Sequence, residues 1–275
     1  MGILNVTPDS FSDGGRYLDA RAAVARGLEM AAEGADIIDV GGESTRPGAL
    51  PVAPDEEMAR VVPVVREIRK ESAALISVDT SKAAVARAAM DAGADIINDV
   101  SALRFDPDMA GVAADSGAAV VLMHMKGTPE TMQVEPRYED LFAEVRGFLE
   151  ARADAARSAG IRRDRIIVDP GIGFGKTFAH NIALIEGLGF LDDLGFPVLA
   201  GVSRKSFIGK ALGAGPGERL EGSLAAGVLC IERGTHILRV HDVRATRRAA
   251  DMTDAVLAGG DLERPARAEG RRHGS

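Results

Sequence analysis

One unit recurs along this chain: a helical stretch stops at a glycine, a short β-branched run follows, and the run ends on a polar residue. "EGADIIDVGG" from Glu33 and "DAGADIINDV" from Asp91 nearly copy one another, and "SGAAVVLMHM", "AGIRRDRIIVDPG" and "RGTHILRVHD" keep the plan while changing the ending. Each glycine suits the left-handed residue that closes a helix, and each apolar run reads as a parallel strand buried on both faces. Eight such runs predict strands at 2–6, 36–40, 75–79, 95–99, 119–123, 165–169, 197–201 and 236–240, separated by helical patterns such as "DARAAVARGLEMAAEG" and "DEEMARVVPVVREIRKE". Eight alternations within 275 residues and no break in composition predict an α/β chain with one domain over 1–258, a single (β/α)8 TIM barrel. A doubly wound sheet is the alternative. The Arg-, Gly- and Glu-rich stretch 259–275 reads as a disordered, solvated tail.

Charge and composition exclude several classes of function. A net charge of −8 and a pI near 5.3 leave no general basic face for nucleic acid, so an anionic ligand needs a local cluster of cations. Trp is absent and aromatics make up 4% of the chain, too few for a base-stacking surface. Cys230 is the only cysteine, which excludes an internal disulfide and a cysteine zinc site. No apolar stretch reaches the roughly 20 residues of a membrane span, and the N-terminus lacks a signal-peptide pattern. The expectation is a cytoplasmic protein with no membrane or nucleic-acid partner.

"DPGIGFGKT" at 169–177 resembles a phosphate-binding loop, but the first glycine that such a loop requires falls on Pro170, which has a fixed φ and no N–H. The dinucleotide fingerprint also fails, because Gly171, Gly173 and Gly175 are spaced by two. Those glycines serve something else.

In a barrel, residues just beyond the carboxyl ends of the strands converge on one mouth. Here they are Asn5, Glu43 to Arg46, Asp79, Asn98, Asp99, His124, Asp169, Ser203 to Lys205, Arg239 and His241, all polar. Any one of them could simply cap a helix or form an Asx turn. Asp79, Asn98 and Asp169 suit a planar heterocycle with a guanidine-like edge, since a carboxylate accepts two parallel hydrogen bonds. Arg46, Arg239 and His241 suit an anionic group. Lys205, with Ser203 as the expected N-cap of the next helix, lacks an evident neighbour to lower its pKa, which favours hydrogen bonding over Schiff-base chemistry. No histidine spacing suggests a transition-metal site, whereas Mg²⁺ carried by a substrate phosphate with Asn5 nearby needs few protein ligands. Met123 and Met125 read as pocket packing. Long segments at 7–19, 41–54 and 125–137 read as functional loops on the catalytic face.

Eight ordered stretches, "MGILNVTPDSFSDGG", "DVGGESTRPGA", "SVDTSK", "INDVS", "LMHMKGTPETMQ", "DPGIGFGKT", "SRKSFIG" and "RVHDV", closely resemble the motifs of the bacterial dihydropteroate synthases, from residue 1 to about 257. The resemblance implies the same barrel and a transferase that joins 6-hydroxymethyl-7,8-dihydropterin diphosphate to p-aminobenzoate in folate synthesis, with Mg²⁺ as cofactor. It implies pterin binding by Asp79, Asn98, Met123, Asp169, Gly201 and Lys205, and diphosphate binding by Asn5, Thr45, Arg46, Arg239 and His241, with Asn5 also near the metal. p-Aminobenzoate would meet Phe11, Pro47, Phe174, Lys205 and Ser206, the last at its carboxylate. Asp79, Asp169, Lys205, Arg239 and His241 are then the expected catalytic set, and "DPGIGFGKT" places Asp169 on the pterin. A homodimer, sensitivity to sulfonamides and an SN1-like substitution are further expectations. The family usually carries a short segment before its first strand that helps cover the barrel floor, so the expectation is either a true start upstream of Met1 or a less covered floor. A methyltetrahydrofolate-dependent methyltransferase domain, which shares a pterin-binding barrel, would need no diphosphate clamp, and a pterin-binding protein without turnover would need no catalytic set.

Overall fold

Each β-branched run forms a strand. The computed structural model describes residues 1–7, 16–44 and 51–260. In chain order the strands and helices are β1 (Gly2–Asn5), α1 (Arg16–Ala32), β2 (Ile37–Gly41), α2 (Pro54–Glu71), β3 (Leu75–Asp79), α3 (Ala83–Asp91), β4 (Ile96–Asp99) and α4 (Met109–Ser116). There follow β5 (Ala119–Met123), α5 (Leu141–Ser158), β6 (Ile166–Asp169), α6 (Phe178–Glu186), β7 (Leu199–Ala200), α7 (Ser206–Leu212), α8 (Leu220–Glu232), β8 (Ile237–Leu238) and α9 (Val243–Leu257).

Strands β1 to β6 form one parallel sheet in sequence order, and β7 pairs with β8. Parallel bridges Val168↔Val198 and Gly2↔Val240 join the two sets at both edges, closing the eight strands into a barrel. Ile3 N–H donates to Val240 O at 2.9 Å and Val168 N–H donates to Pro197 O at 2.9 Å, so both seams carry backbone bonds.

The last two strands are shorter than expected, at two residues each. Pro197 has no N–H, the Val198 N–H is taken by His236 Nδ1 at 3.2 Å, and Val198 O accepts from both His236 and Ile237. The regular ladder is lost there although the ring still closes. Helix α1 begins at Arg16, three residues before the expected start.

Local chemistry accounts for the helices. α2 opens on Pro54 with Asp55, Glu56 and Glu57 in its first turn and closes with Arg69 and Lys70, which complements the helix dipole at both ends. Its buried Val61, Val64, Val65 and Ile68 share one face at helical spacing. After α3, Gly93 takes φ +108° and its carbonyl accepts from Arg69 Nε at 2.9 Å.

The strands bury two different faces. Outward-facing Ile38, Val40, Ile76, Val78, Ile97, Val120, Leu122 and Val168 pack under the helices in the main core, where each fully buried aliphatic side chain contributes about 1.5–3 kcal/mol. Inside the barrel, Met1, Ile37, Ile96, Val121, Ile167 and Leu199 form a separate apolar plug near the amino ends. Two residues further along β2, β4 and β6 the interior becomes polar, at Asp39, Asn98 and Asp169, and that change places the site.

Candidate active site

Strand register sets the polar layer. Asp39 pairs with Ser77, Gly41 with Asp79, Asp79 with Asn98, and Met123 with Asp169. All of these side chains are buried; Asp39 and Ser77 are fully so. Arg239, just past β8, crosses the interior: its Nε donates to Asp39 Oδ2 at 2.6 Å and its Nη2 donates to Asp79 Oδ2 at 2.6 Å. Asn98 Nδ2 donates to the same Asp39 oxygen at 3.1 Å. Among the described residues Asp39 Oδ1 and Ser77 Oγ are buried without a hydrogen-bond partner. Buried polar atoms left over in this way are what a ligand's N–H groups would satisfy.

Burial dominates the electrostatics. It raises the Asp79 pKa, with Arg239 opposing and Asp39 reinforcing, and it raises Asp169, with Lys205 and the Gly171 N–H opposing. It lowers Lys205 to about 8, where Asp169 resists the fall and Arg239 adds to it. For Arg239 burial works against the charge, and Asp39 and Asp79 more than offset it, so the guanidinium stays protonated. Burial is the main reason that Asp79 moves up despite its contact with Arg239, and sharing that guanidinium with Asp39 adds to the rise.

The cleft at the carboxyl end is lined by Asn98, Met123, Asp169, Phe174, Gly201 and Lys205 together with Arg239, Ser203 and His241. The expected pterin residues therefore converge, with Asp79 joined to them through Arg239. Lys205 Nζ donates to the Ile172 carbonyl and stands 4.5 Å from the centre of the Phe174 ring. Ser203 does not cap a helix, since α7 begins at Ser206 with Lys205 at the N-cap position. Its hydroxyl instead accepts from the His241 N–H at 3.2 Å and meets His241 Nδ1 at 3.1 Å. Asn5 is half-buried at the end of β1, on the opposite side of Gly41 from Asp79 in the ladder. Ser206 is exposed at the start of α7, outside the residues that line the cleft. Phe11, Thr45, Arg46 and Pro47 lie outside the described residues.

The glycine loop after β6 spends its peptide groups internally. Gly171 N–H donates to Asp169 Oδ1 at 2.7 Å, Gly173 N–H to Asn181 Oδ1 at 2.6 Å, and Phe174 N–H to Gly171 O at 3.0 Å. A phosphate cradle needs such N–H groups aimed at the ligand, and here they are already paired. A Cβ built on Gly171, which has φ +68°, would lie 1.8 Å from His124 O, so a close backbone approach explains this glycine.

Other strand-end residues turn away from the cleft. Asp99 faces outward and accepts from Ser101 and Leu103 N–H at 2.7 and 2.9 Å, an ordinary turn role. Glu43 pairs with Lys82, which also meets the fully buried Glu57 at 2.5 Å. His124 packs edge-on to Phe148 and meets Lys176. Asp39 is the residue that strand-end reasoning missed. It lies mid-strand, and its signal is an acidic residue at an inward-facing parity within "DIIDV". A larger cavity of about 320 Å³ opens at the amino end of the barrel around Met1, Asp36, Thr235 and Arg247, away from this layer and on the face that barrels use for stability. Among the described residues no group of three His, Cys, Asp or Glu side chains is placed to hold a metal.

Residues 1–241 match the family described as pterin binding enzyme. The dihydropteroate synthase of Escherichia coli K12 is 48% identical over 264 residues, covering 96% of this chain and 93% of that protein. The Yersinia pestis dihydropteroate synthase, solved with a sulfonamide drug complex, superposes with a TM-score of 0.89 at 44% identity and covers 94% of each chain. The Xanthomonas albilineans dihydropteroate synthase, solved with 4-aminobenzoic acid, gives 0.88 at 51% identity, covering 94% of this chain and 92% of that one.

Proposed function

This chain belongs to the pterin-binding enzymes and, among them, to the dihydropteroate synthases, and we propose on that footing which of its residues carry the reaction. The reaction is a transfer: 6-hydroxymethyl-7,8-dihydropterin diphosphate and p-aminobenzoate give 7,8-dihydropteroate and pyrophosphate, a step of folate synthesis. The observation that best supports the residue assignment is the buried layer of Asp39, Asp79, Asn98 and Asp169 around Arg239, with one carboxylate oxygen left over. A pterin offers that layer an N–H-rich planar edge, and its donors suit carboxylates desolvated beforehand.

Lys205 supplies charge and a donor between the pterin and the Phe174 ring, and Phe174 forms one wall for the aromatic amine, with Met123 and Gly201 lining the pterin side. His241 and Arg239, with Thr45 and Arg46 from the β2 loop, would take the diphosphate. Arg239 already commits two nitrogens to carboxylates, so within the described residues His241 is the better placed of the pair for phosphate oxygens. Pro47, Phe11 and Ser206 complete the proposed aminobenzoate site.

An arylamine is a weak nucleophile, so the reaction gains most from helping diphosphate leave. We infer an SN1-like course in which the C–O bond breaks with its electron pair going to diphosphate. The methylene carbon is then stabilised by conjugation with the pterin and by the Asp79 and Asp169 carboxylates. The amine nitrogen then supplies the pair for the new C–N bond and loses one proton, which passes to the departing diphosphate or to water. Asn5 offers a single amide oxygen, which fits Mg²⁺ arriving on the substrate diphosphate with most of its waters and does not fit a resident metal. Such an ion would neutralise charge on the leaving group.

A homodimer is part of this reading, supported by exposed Leu229 on α8 and Met252, Val256 and Leu257 on α9. A cytoplasmic location agrees with the buried free thiol of Cys230, and among the described residues no helix is long and apolar enough to cross a membrane. The test is pyrophosphate release from the dihydropterin diphosphate with Mg²⁺, with and without p-aminobenzoate, using Asp169→Ala as control. Dihydropteroate formed only by the intact site supports the assignment; equal product from Asp169→Ala would defeat it. Isotope scrambling within the diphosphate in the absence of amine would support the SN1-like course, and a strict amine requirement for any C–O cleavage would count against it.

A further inference from the structure

Lys176 is almost completely buried and makes no direct ion pair among the described contacts. Its Nζ lies 3.0 Å from Phe174 O, 3.0 Å from His124 Nδ1 and 3.4 Å from His124 O. Which atom donates in the contact with His124 Nδ1 follows the ring tautomer, whereas the two carbonyls can only accept from the amine. A buried amine held by two carbonyls and a ring nitrogen is costly for packing alone, because an apolar side chain of the same length would fill the space without desolvating a charge.

What Lys176 joins gives the reason. His124 directly follows β5, and Phe174 is the aromatic wall of the cleft. The same loop is gripped at every other peptide: Gln133 Nε2 donates to Gly173 O at 2.8 Å, Tyr138 Oη donates to Gly175 O at 2.7 Å, and Lys205 donates to Ile172 O. Asn181 and Asp169 take the Gly173 and Gly171 N–H groups. Three glycines with positive φ would otherwise leave the backbone on either side of Phe174 free to rotate. Lys176 holds the peptide that carries the ring itself.

We propose that Lys176 is a positioning residue for the arylamine substrate, acting through the Phe174 carbonyl and the end of β5 to hold the Phe174 ring at the cleft wall. The inference rests on the assignment of Phe174 to the p-aminobenzoate site. Lys176 touches no reacting atom, so its loss should be felt by one substrate only. A burial-lowered pKa of about 7 agrees with an amine that serves as a neutral or shared donor rather than as an ion-pair partner.

The experiment is steady-state kinetics on the full chain with both substrates varied, for Lys176→Met, for Lys176→Gln, which keeps a neutral donor, and for Phe174→Ala. The expected result is a KM for p-aminobenzoate about tenfold higher in Lys176→Met, with kcat and the KM for pterin diphosphate within about threefold of the parent, the scale on which small displacements of a positioning group are felt. Lys176→Gln should fall between the two and carries the test if Lys176→Met does not fold. Equal changes in both KM values, or none in either, would overturn the role of Lys176 provided that Phe174→Ala raises the p-aminobenzoate KM. An unchanged KM in Phe174→Ala would sink the site assignment and the Lys176 role together.

Discussion

Arg239 and Asp79 stand 160 residues apart in the chain and 2.6 Å apart in the barrel, and the same guanidinium also holds Asp39 at 2.6 Å. One cation therefore serves two buried carboxylates, and the surplus negative charge is what a donor-rich heterocycle can relieve. The arrangement favours ligand binding at the expense of the empty fold.

That imbalance predicts opposite effects for the two partners. Arg239→Met leaves Asp39 and Asp79 buried without their cation and should cost about 3–5 kcal/mol in urea unfolding at pH 7. Asp79→Asn leaves a one-to-one pair. The folded state raises the Asp79 pKa above its ordinary 3.8, so the folded protein holds that proton more tightly and loses stability as pH rises through the window above 3.8. Asp79→Asn should thus match the parent near pH 4.5 and exceed its Tm at pH 8, while pterin affinity falls about 100-fold or more, as expected for loss of a desolvated charged acceptor. A lower Tm at pH 8 would contradict the surplus-charge account.

Lys176 gives a pH dependence of the other sign. Its pKa is about 7 in the folded protein against 10.5 for an ordinary lysine, so between those values the unfolded chain binds more protons and stability rises with pH. The full shift corresponds to at most about 5 kcal/mol. Chemical unfolding at pH 6.5, 8 and 9.5 should show the parent gaining stability relative to Lys176→Met across this window, and parallel curves would show that the amine titrates normally in the fold.

Two glycines separate backbone necessity from helix weakness. Gly171→Ala would drive a Cβ into His124 O at a positive φ, and should cost more than about 3 kcal/mol or prevent folding. Gly147 lies inside α5 with open space around it, so Gly147→Ala should stabilise by about 0.5–1 kcal/mol. Thermal melts compare the two directly. A neutral Gly171→Ala would mean that the loop relaxes away from β5.

Sulfonamides are expected to compete with p-aminobenzoate, since they share its aniline ring and para acidic group and a relative has been solved with such a drug. Initial rates at several p-aminobenzoate concentrations should give lines meeting on the rate axis, with the apparent KM raised and kcat unchanged. A mixed pattern, or indifference to millimolar drug, would argue that the amine binds elsewhere than beside Phe174.

Much of the architecture was legible because its determinants are local. A glycine that ends a helix and a β-branched run that follows it are read within ten residues, and all eight runs became strands where that pattern put them. Asp79, Asn98, Asp169, Lys205, Arg239 and His241 were legible too, as polar residues at strand ends. The same rule also picked out Asp99 and His124, which the fold points elsewhere, and it passed over Asp39. Asn98 and Asp99 are adjacent, and adjacent strand residues face opposite sides of the sheet, so one enters the cavity while the other caps a turn. Pro170 was enough to reject a phosphate-binding loop at 169–177, and the fold agrees, since the Gly171 and Gly173 N–H groups are already paired within the protein.

The sequence by itself determined the alternation of strand and helix, the polar endings and the family, since each rests on residues close together in the chain. Only the closed barrel decided which strand face became the cavity, which two carboxylates share Arg239, and which lysine meets the cleft while the other staples its wall. Those outcomes depend on strand register around the whole ring. Moving one strand by one residue would exchange its inward and outward faces while leaving every local pattern unchanged.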